Sequence, residues 1–431
     1  MNSDRFVVIG LARVRCSWFA EVARWANSAV LPLEFLKCVS ATEVASRIAS
    51  GRAFSALLLD AAAAGVDRDL IDSARTAGIA VIIVQDPRID RNWVELGAAE
   101  VLTDQFTRAD LLDALTTFAA PIDRTATAVS ALATVVPNTE QSWKGALIGV
   151  CGERGGGSST TAMALASGLG VIPGYEANVL LADLALSADQ AMFHHVRDIV
   201  PGIQEMCELH RGTSPTPGAI RELTFDINKR GYLLLLGLRT HRDWVVLRPQ
   251  ALRAAITSLT HTFRYTVADI TGEFDGEEET ASVDMEERNG PARFVCAEAD
   301  LILICGSASL KGVRSIVNCR NDALRHGAEA ARILPVITRA PRTRRARAEI
   351  LAALEEFSRA EDALPPVFLP TIRGMEAIHA VAGPLPKQLI SSITQPVCAL
   401  LGNAEVEAKR AEHRGERLAP GSLNIGQSAA G

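Results

Sequence analysis

Residues 146–169 read ALIGVCGERGGGSSTTAMALASGL: an apolar run, a glycine-rich turn, hydroxyl residues and an alanine-rich helical stretch. Glycines let successive backbone N–H groups converge on one point, and the dipole of the following helix favours negative charge there. The order strand, glycine turn, helix therefore builds a cradle for an anion, above all a phosphate. A glycine-rich turn alone is a weak signal, and its place after a buried strand makes it a more specific one.

Other groupings are less directed. Arg339, Arg342, Arg344, Arg345 and Arg347 crowd into RAPRTRRARAE between an apolar strand and a helix, where they would contact nucleic-acid phosphates or anionic lipid, or form a solvated loop and helix start. His194 and His195 are adjacent and point different ways on one helix, which argues against a shared metal site. The eight cysteines are scattered singly, most within apolar runs, so neither a disulfide scaffold nor a zinc site is expected. Forty-four Lys and Arg against fifty Asp and Glu give a net charge of -6, leaving a nucleic-acid partner only a local patch to bind.

These residues need a scaffold, and 431 residues with 48% hydrophobic and 22% charged side chains supply folded domains rather than a disordered chain. The fold class is α/β throughout. In residues 1–120, strands are expected at Phe6–Ile9, near Glu34–Leu36, and at Ala56–Leu59, Ala80–Val84 and Glu100–Leu102. Ser40 with Glu43, and Thr107 with Asp110, open two of the intervening helices. The Ala-, Thr-, Ser- and Pro-rich stretch 121–142 reads as a linker. A doubly wound parallel sheet follows in residues 143–402, with strands at Ala146–Val150, Val179–Asp183, Tyr232–Leu236, Tyr265–Asp269, Leu301–Cys305, Ile333–Thr338 and Val367–Leu369. The acidic insertion Gly272–Asn289 reads as mobile, and 403–431 as a disordered polar tail. No run of about 18 uncharged apolar residues occurs, and the first residues do not form a signal peptide. A cytoplasmic protein is expected, with membrane contact made through partners.

The glycine-rich stretch resembles the deviant Walker A loop of the MinD/ParA family of P-loop ATPases, Lys-Gly-Gly-x-Gly-Lys-Thr-Thr. Arg154 stands at the signature lysine, Gly155 and Gly156 match the glycine pair, and Gly157 fills the variable position. Ser158 replaces the next glycine, Ser159 replaces the P-loop lysine, and Thr160 and Thr161 match the threonines. The resemblance implies a site for ATP and Mg²⁺, with Thr160 and Asp269, at the end of YTVADITG, as the metal residues. Losing the lysine removes charged hydrogen bonds worth about 1.5–3 kcal/mol each, so binding is expected to fall roughly ten- to a hundredfold or more. In VLLADLAL, Asp183 matches the first aspartate that the family places after its second strand, and Ala185 replaces the second; Asp183 is thus the one catalytic candidate. Thr338 or Arg339 stands near the family's adenine-reading asparagine.

Residues 1–120 resemble a response-regulator receiver, with Asp60 at the phosphoacceptor position. No acidic pair follows its first strand and Thr103-Asp104 replaces Lys-Pro, so a non-phosphorylated, docking pseudo-receiver is implied. A receiver-like domain ahead of a MinD-like domain is similar to the CpaE/TadZ group and to septum site-determining proteins that share this order. The implied function is spatial regulation of septum placement or of Flp/Tad pilus assembly, through homodimerisation and protein partners of the division or pilus machinery, with weak or absent ATP hydrolysis. An active ATP-dependent switch and a DNA-binding partition protein are the alternatives. The tail has almost no bulky apolar face, so no autonomous membrane anchor is expected; recruitment to septum, pole or inner membrane face would fall to partners.

Overall fold

The computed structural model describes residues 5–14, 16–28, 30–122, 143–172, 177–357 and 364–415, from 403 as helical backbone alone. The apolar runs form two separate sheets. In the first, β1 (Phe6–Leu11), β2 (Leu33–Cys38), β3 (Ala56–Asp60), β4 (Ala80–Val84) and β5 (Glu100–Leu102) are all parallel, in the order β2-β1-β3-β4-β5. Strand β3 is buried at every position, so helices must cover both faces. One apolar layer gathers around Leu57, Leu59 and Trp93, the other around Trp18, Leu58 and Phe106. The two sequence caps form: Ser40 accepts from the Glu43 N–H at 3.2 Å, and Thr107 and Asp110 cap each other reciprocally.

The second sheet contains β6 (Ala146–Gly152), β7 (Val179–Asp183), β8 (Phe225–Ile227), β9 (Tyr232–Leu235), β10 (Tyr265–Asp269), β11 (Leu301–Ser307), β12 (Ile333–Ala340) and β13 (Val367–Pro370). Its order is β13-β12-β11-β6-β10-β7-β9-β8, parallel except for β8 at the edge. Successive strands leave β6 first to one side and then to the other. That reversal opens a crevice at the C-terminal ends of the strands, the usual ligand position in doubly wound sheets.

Strand β8 is not foreseen by the sequence reading; it is a short hairpin partner of β9, turned by Gly231 at φ +77°. The acidic insertion is folded rather than mobile. It carries helices Glu277–Thr280 and Val283–Arg288, and its anchors are Phe274, which is buried in the core, and Asn289, whose amide donates to the Asp275 carbonyl at 2.8 Å. Its acids are placed at helix starts and beside Arg288, which pairs with Glu273 at 3.0 Å. The helix from Lys387 continues to Gly415, into the stretch read as a disordered tail. Residues 416–431 and nearly all of the expected linker lie outside the described residues.

Helix Arg68–Thr76 of the first sheet's domain packs on helices Ile203–Gly212 and Pro249–Thr262 of the second. Asp67 pairs with Arg211 at 2.8 Å, Arg68 donates to the His210 carbonyl at 2.7 Å, and Asp69 accepts from the Gln250 N–H at 3.0 Å.

Candidate phosphate-binding site

The glycine-rich turn leaves β6 at Gly152, where a Cβ would lie 2.0 Å from the Cys305 carbonyl oxygen. Gly155 and Gly157 adopt φ +73° and +92°, the left-handed region that glycine enters without strain. Residues of the neighbouring strands then hold the turn from outside. Thr338 Oγ1 donates to the Gly156 carbonyl at 2.6 Å, Arg339 donates to the Gly155 carbonyl, and Ser307 donates to Glu153 through both its N–H (3.1 Å) and its hydroxyl (2.8 Å). A register shift between β12 and β13 falls at this point, and Arg339 itself takes φ +51°. The irregularity aims both side chains at the turn.

Helix Ser158–Gly170 starts at the turn, and its first backbone bond runs from the Thr161 N–H to the Gly157 carbonyl at 2.9 Å. The N–H groups of Ser158, Ser159 and Thr160 precede that bond, as unpaired helix-start donors do. These residues floor a cavity of about 590 Å³ that is lined further by the apolar Phe193, Leu369, Ile372 and Met375 and by the acids Asp189 and Glu376.

Behind the floor lie two buried carboxylates, Asp183 at the end of β7 and Asp269 at the end of β10, register neighbours in the sheet. Gln190 joins them. Its backbone N–H donates to Asp183 Oδ2 at 2.9 Å and its side-chain Nε2 to Asp269 Oδ2 at 2.7 Å. Burial pushes the Asp269 carboxyl up to about 6, against the opposing pull of its bonds from Gln190 and Ser159. Burial and the nearby Asp269 hold Asp183 well above the ordinary carboxylate range. Thr160 Oγ1 is also engaged, 3.2 Å from Nε2 of the buried His379, whose ring lies against Phe193.

Thr160, Asp183 and Asp269 are thus tied to protein partners. Among the described residues, no group of three or more His, Cys, Asp or Glu side chains is placed to hold a metal ion. Asp183 Oδ1 and Gln190 Oε1 are nonetheless buried without a hydrogen-bond partner among the described residues, so oxygen atoms stand open behind a turn and helix start whose N–H groups suit a phosphate. The expected residues Gly155, Gly157, Ser158, Ser159, Thr160 and Thr161 all line the cavity, and Gly156 lies buried in the turn. Arg154 is exposed and makes no ion pair among the described residues. Thr338 and Arg339 both line the cavity, where Thr338 Oγ1 and one N–H of the Arg339 guanidinium bond the turn.

The remaining expected sites have other partners. Asp60 is buried and clamped by Arg13, which also pairs with Asp86 at 2.6 Å; Asp86 in turn is held well below the usual carboxylate range by bonds from Arg88. Of the arginine cluster, Arg345 pairs with Glu349 and Arg347 bonds the Pro341 carbonyl and covers the Phe368 ring; Arg342 and Arg344 are exposed. His194 is buried between the Gln190 carbonyl and the Tyr232 hydroxyl, and burial lowers it to about 4.

Gln190, His379 and Arg13 are absent from the sequence reading. Gln190 opens a helix of a single turn, Gln190–Phe193, too short to show a period. Arg13 stands two residues past β1 and meets Asp60 at the end of the neighbouring β3, a pairing across 47 residues of sequence.

Solved structures similar to this chain include a ParA family ATPase from Chlorobium tepidum (17% identity, 58% of this chain and 97% of that one, TM-score 0.45). Another is the septum site-determining protein MinD of Pyrococcus horikoshii complexed with Mg-ADP (14% identity, 60% and 97% coverage, TM-score 0.45). A third is a Cyanothece McdA–ATP complex (19% identity, 61% and 97% coverage, TM-score 0.44). No protein-family model and no curated protein sequence matches the chain.

Proposed function

We propose that this chain is a MinD/CpaE-like spatial regulator, acting by dimerisation and partner binding in septum placement or polar pilus assembly, with little or no ATP hydrolysis. The observation that carries the non-hydrolytic part is Gln190, whose two N–H groups engage the very carboxylates that a hydrolytic site would leave for metal and water. Ser159 in place of lysine and Ala185 in place of the second aspartate support it. The regulatory part rests on the resemblance of residues 146–161 to the deviant Walker A loop and on the receiver-like sheet ahead of it. Asp60, with both oxygens engaged by Arg13, supports a docking domain rather than a phosphorylated one.

Among the described residues no helix is long and apolar enough to cross a membrane, so placement in the cell falls to partners in this reading. The DNA-binding alternative is less supported, because Arg339, Arg345 and Arg347 are engaged within the protein. The test pairs phosphate release from ATP with imaging of a fluorescent fusion. Release at the buffer background, unchanged by Asp269→Ala, together with foci at septum or pole, is the expected result. Turnover that Asp269→Ala abolishes would assign the chain to the switch ATPases instead.

A further inference from the structure

We infer that the groove between helices Leu310–Arg325 and Arg344–Phe357 receives the acidic insertion Gly272–Asn289 of a second copy of this chain, so that two copies pair without nucleotide. The inference rests on the dimerisation in the proposed function and supplies a surface for it.

The groove is a cavity of about 510 Å³ whose apolar lining includes Val313, Ala340, Ile350 and Ala353. Leu310, the first residue of its helix, also lines it while 73% exposed. The rim is basic. Arg342 lines it, Arg344 opens the second helix, and Lys311 and Arg314 stand about one turn apart on the first; all four are exposed and make no ion pair among the described residues. Glu349, the acid that lines the groove, is paired with Arg345 at 3.1 Å. An apolar groove inside a cationic rim fits an acidic segment that carries an apolar residue. The phosphates of a nucleic acid would satisfy the rim and leave the groove unfilled.

The insertion has the required chemistry. Glu277, Glu278 and Asp284 are exposed and make no ion pair among the described residues, and Val283, 53% exposed, stands beside Asp284 at the start of its helix. The short helix His241–Val246 lies against that helix, and its exposed Val245 and Val246 extend the apolar surface.

The two surfaces are placed to serve each other between copies. Phe274, which anchors the insertion, and Val313, which lines the groove, belong to one apolar layer, so both surfaces lie on the same face of the sheet. The insertion follows the end of β10, and the groove's Arg342 follows the end of β12. These strands are three spacings apart in the sheet, about 14 Å. Opposite charges side by side on one face become self-complementary when a second copy is related by a two-fold axis, and the contact is then made twice.

Light scattering of the full chain without nucleotide tests this. The wild type should have the mass of two chains at low salt and of one chain at high salt. Glu277→Lys with Glu278→Lys and Asp284→Lys, and separately Arg314→Glu with Arg342→Glu and Arg344→Glu, should each raise the dimer dissociation constant at least about tenfold. An equimolar mixture of the two variants should return to the mass of two chains, because both contacts are again between opposite charges. Circular dichroism confirms that each variant is folded. A wild type that stays single at low salt, charge reversal that leaves its pairing unchanged, or a mixture of folded variants that does not pair would each overturn the inference. A single-chain wild type that binds a DNA duplex through Arg342 and Arg344 would overturn it and give the rim to nucleic acid. Imaging separates the two readings: foci formed by a single-chain protein defeat this inference alone, whereas diffuse fluorescence from a chain that pairs by charge defeats the regulatory reading.

Discussion

The guanidinium of Arg13 closes over both carboxylate oxygens of Asp60, with Nε 2.7 Å from Oδ2 and Nη2 3.3 Å from Oδ1. The N–H groups of Arg13 and Ala62 add further bonds at 3.2 and 3.0 Å. No lone pair of Asp60 is left facing a phosphodonor, and its nearest cation is a residue of the same chain.

Two outcomes follow for this pair. Incubation with acetyl phosphate should leave the protein unmodified, as read by intact mass. Arg13→Ala should cost about 2 kcal/mol, because Asp60 and Asp86 then stay buried without their shared cation; the value lies below the full buried-pair cost since Arg13 is partly exposed. A urea midpoint that does not move would mean the clamp carries no net stability.

The contact between the two domains should respond to acid. Burial pushes the Asp69 carboxyl from 3.8 to about 6, while undocking returns it toward its ordinary value. Its folded value is raised, so the docked state holds the extra proton between the two values. The contribution of Asp69 to docking is therefore largest below about pH 4 and is lost as pH rises through 6, while His210, whose charging burial and Arg68 disfavour, acts in the opposite sense as pH falls. Small-angle scattering should show a smaller radius of gyration at pH 5 than at pH 7.5, and Asp69→Asn should stay compact at both. A radius that is the same at both pH values in the wild type would contradict this account.

Ser159 lies at the floor of the cavity and bonds Asp269. Replacing it with lysine, Ser159→Lys, restores a cation at the helix start and should raise ADP affinity in EDTA about tenfold, the worth of one charged hydrogen bond. Unchanged affinity in a folded variant would mean that Asp183 and Asp269 capture the new ammonium before a ligand does.

Phe274 anchors the acidic insertion in the core, where it is 1% exposed. Phe274→Ala should cost about 3–5 kcal/mol by guanidinium denaturation. Deleting Gly272–Asn289 removes the same anchor, so it should destabilise the domain. None of its acids lines the cavity, and relief of charge repulsion there is not expected to raise nucleotide affinity.

The strands of both sheets were legible because they are continuous apolar runs such as Val179–Asp183 and Tyr265–Asp269, which only a two-faced parallel sheet buries. The caps at Ser40 and Thr107 were legible because capping is local chemistry. The edge strand β8 was not, since three half-exposed residues carry no pattern, and the acidic insertion misled because its composition hides one phenylalanine anchor. In the site, the glycine turn could be read from spacing. The Gln190 bridge could not, because it joins residues 79 apart through a side chain with no motif of its own.

Holding the turn from outside, through Thr338 and Arg339 on the bulge of β12, makes its shape a property of the sheet rather than of whatever it binds. A loop framed by a neighbouring strand can shed its chemistry one residue at a time and still fold. Serine at 159 and alanine at 185 therefore leave the turn's shape untouched, since the contacts that set it come from Thr338, Arg339 and Ser307.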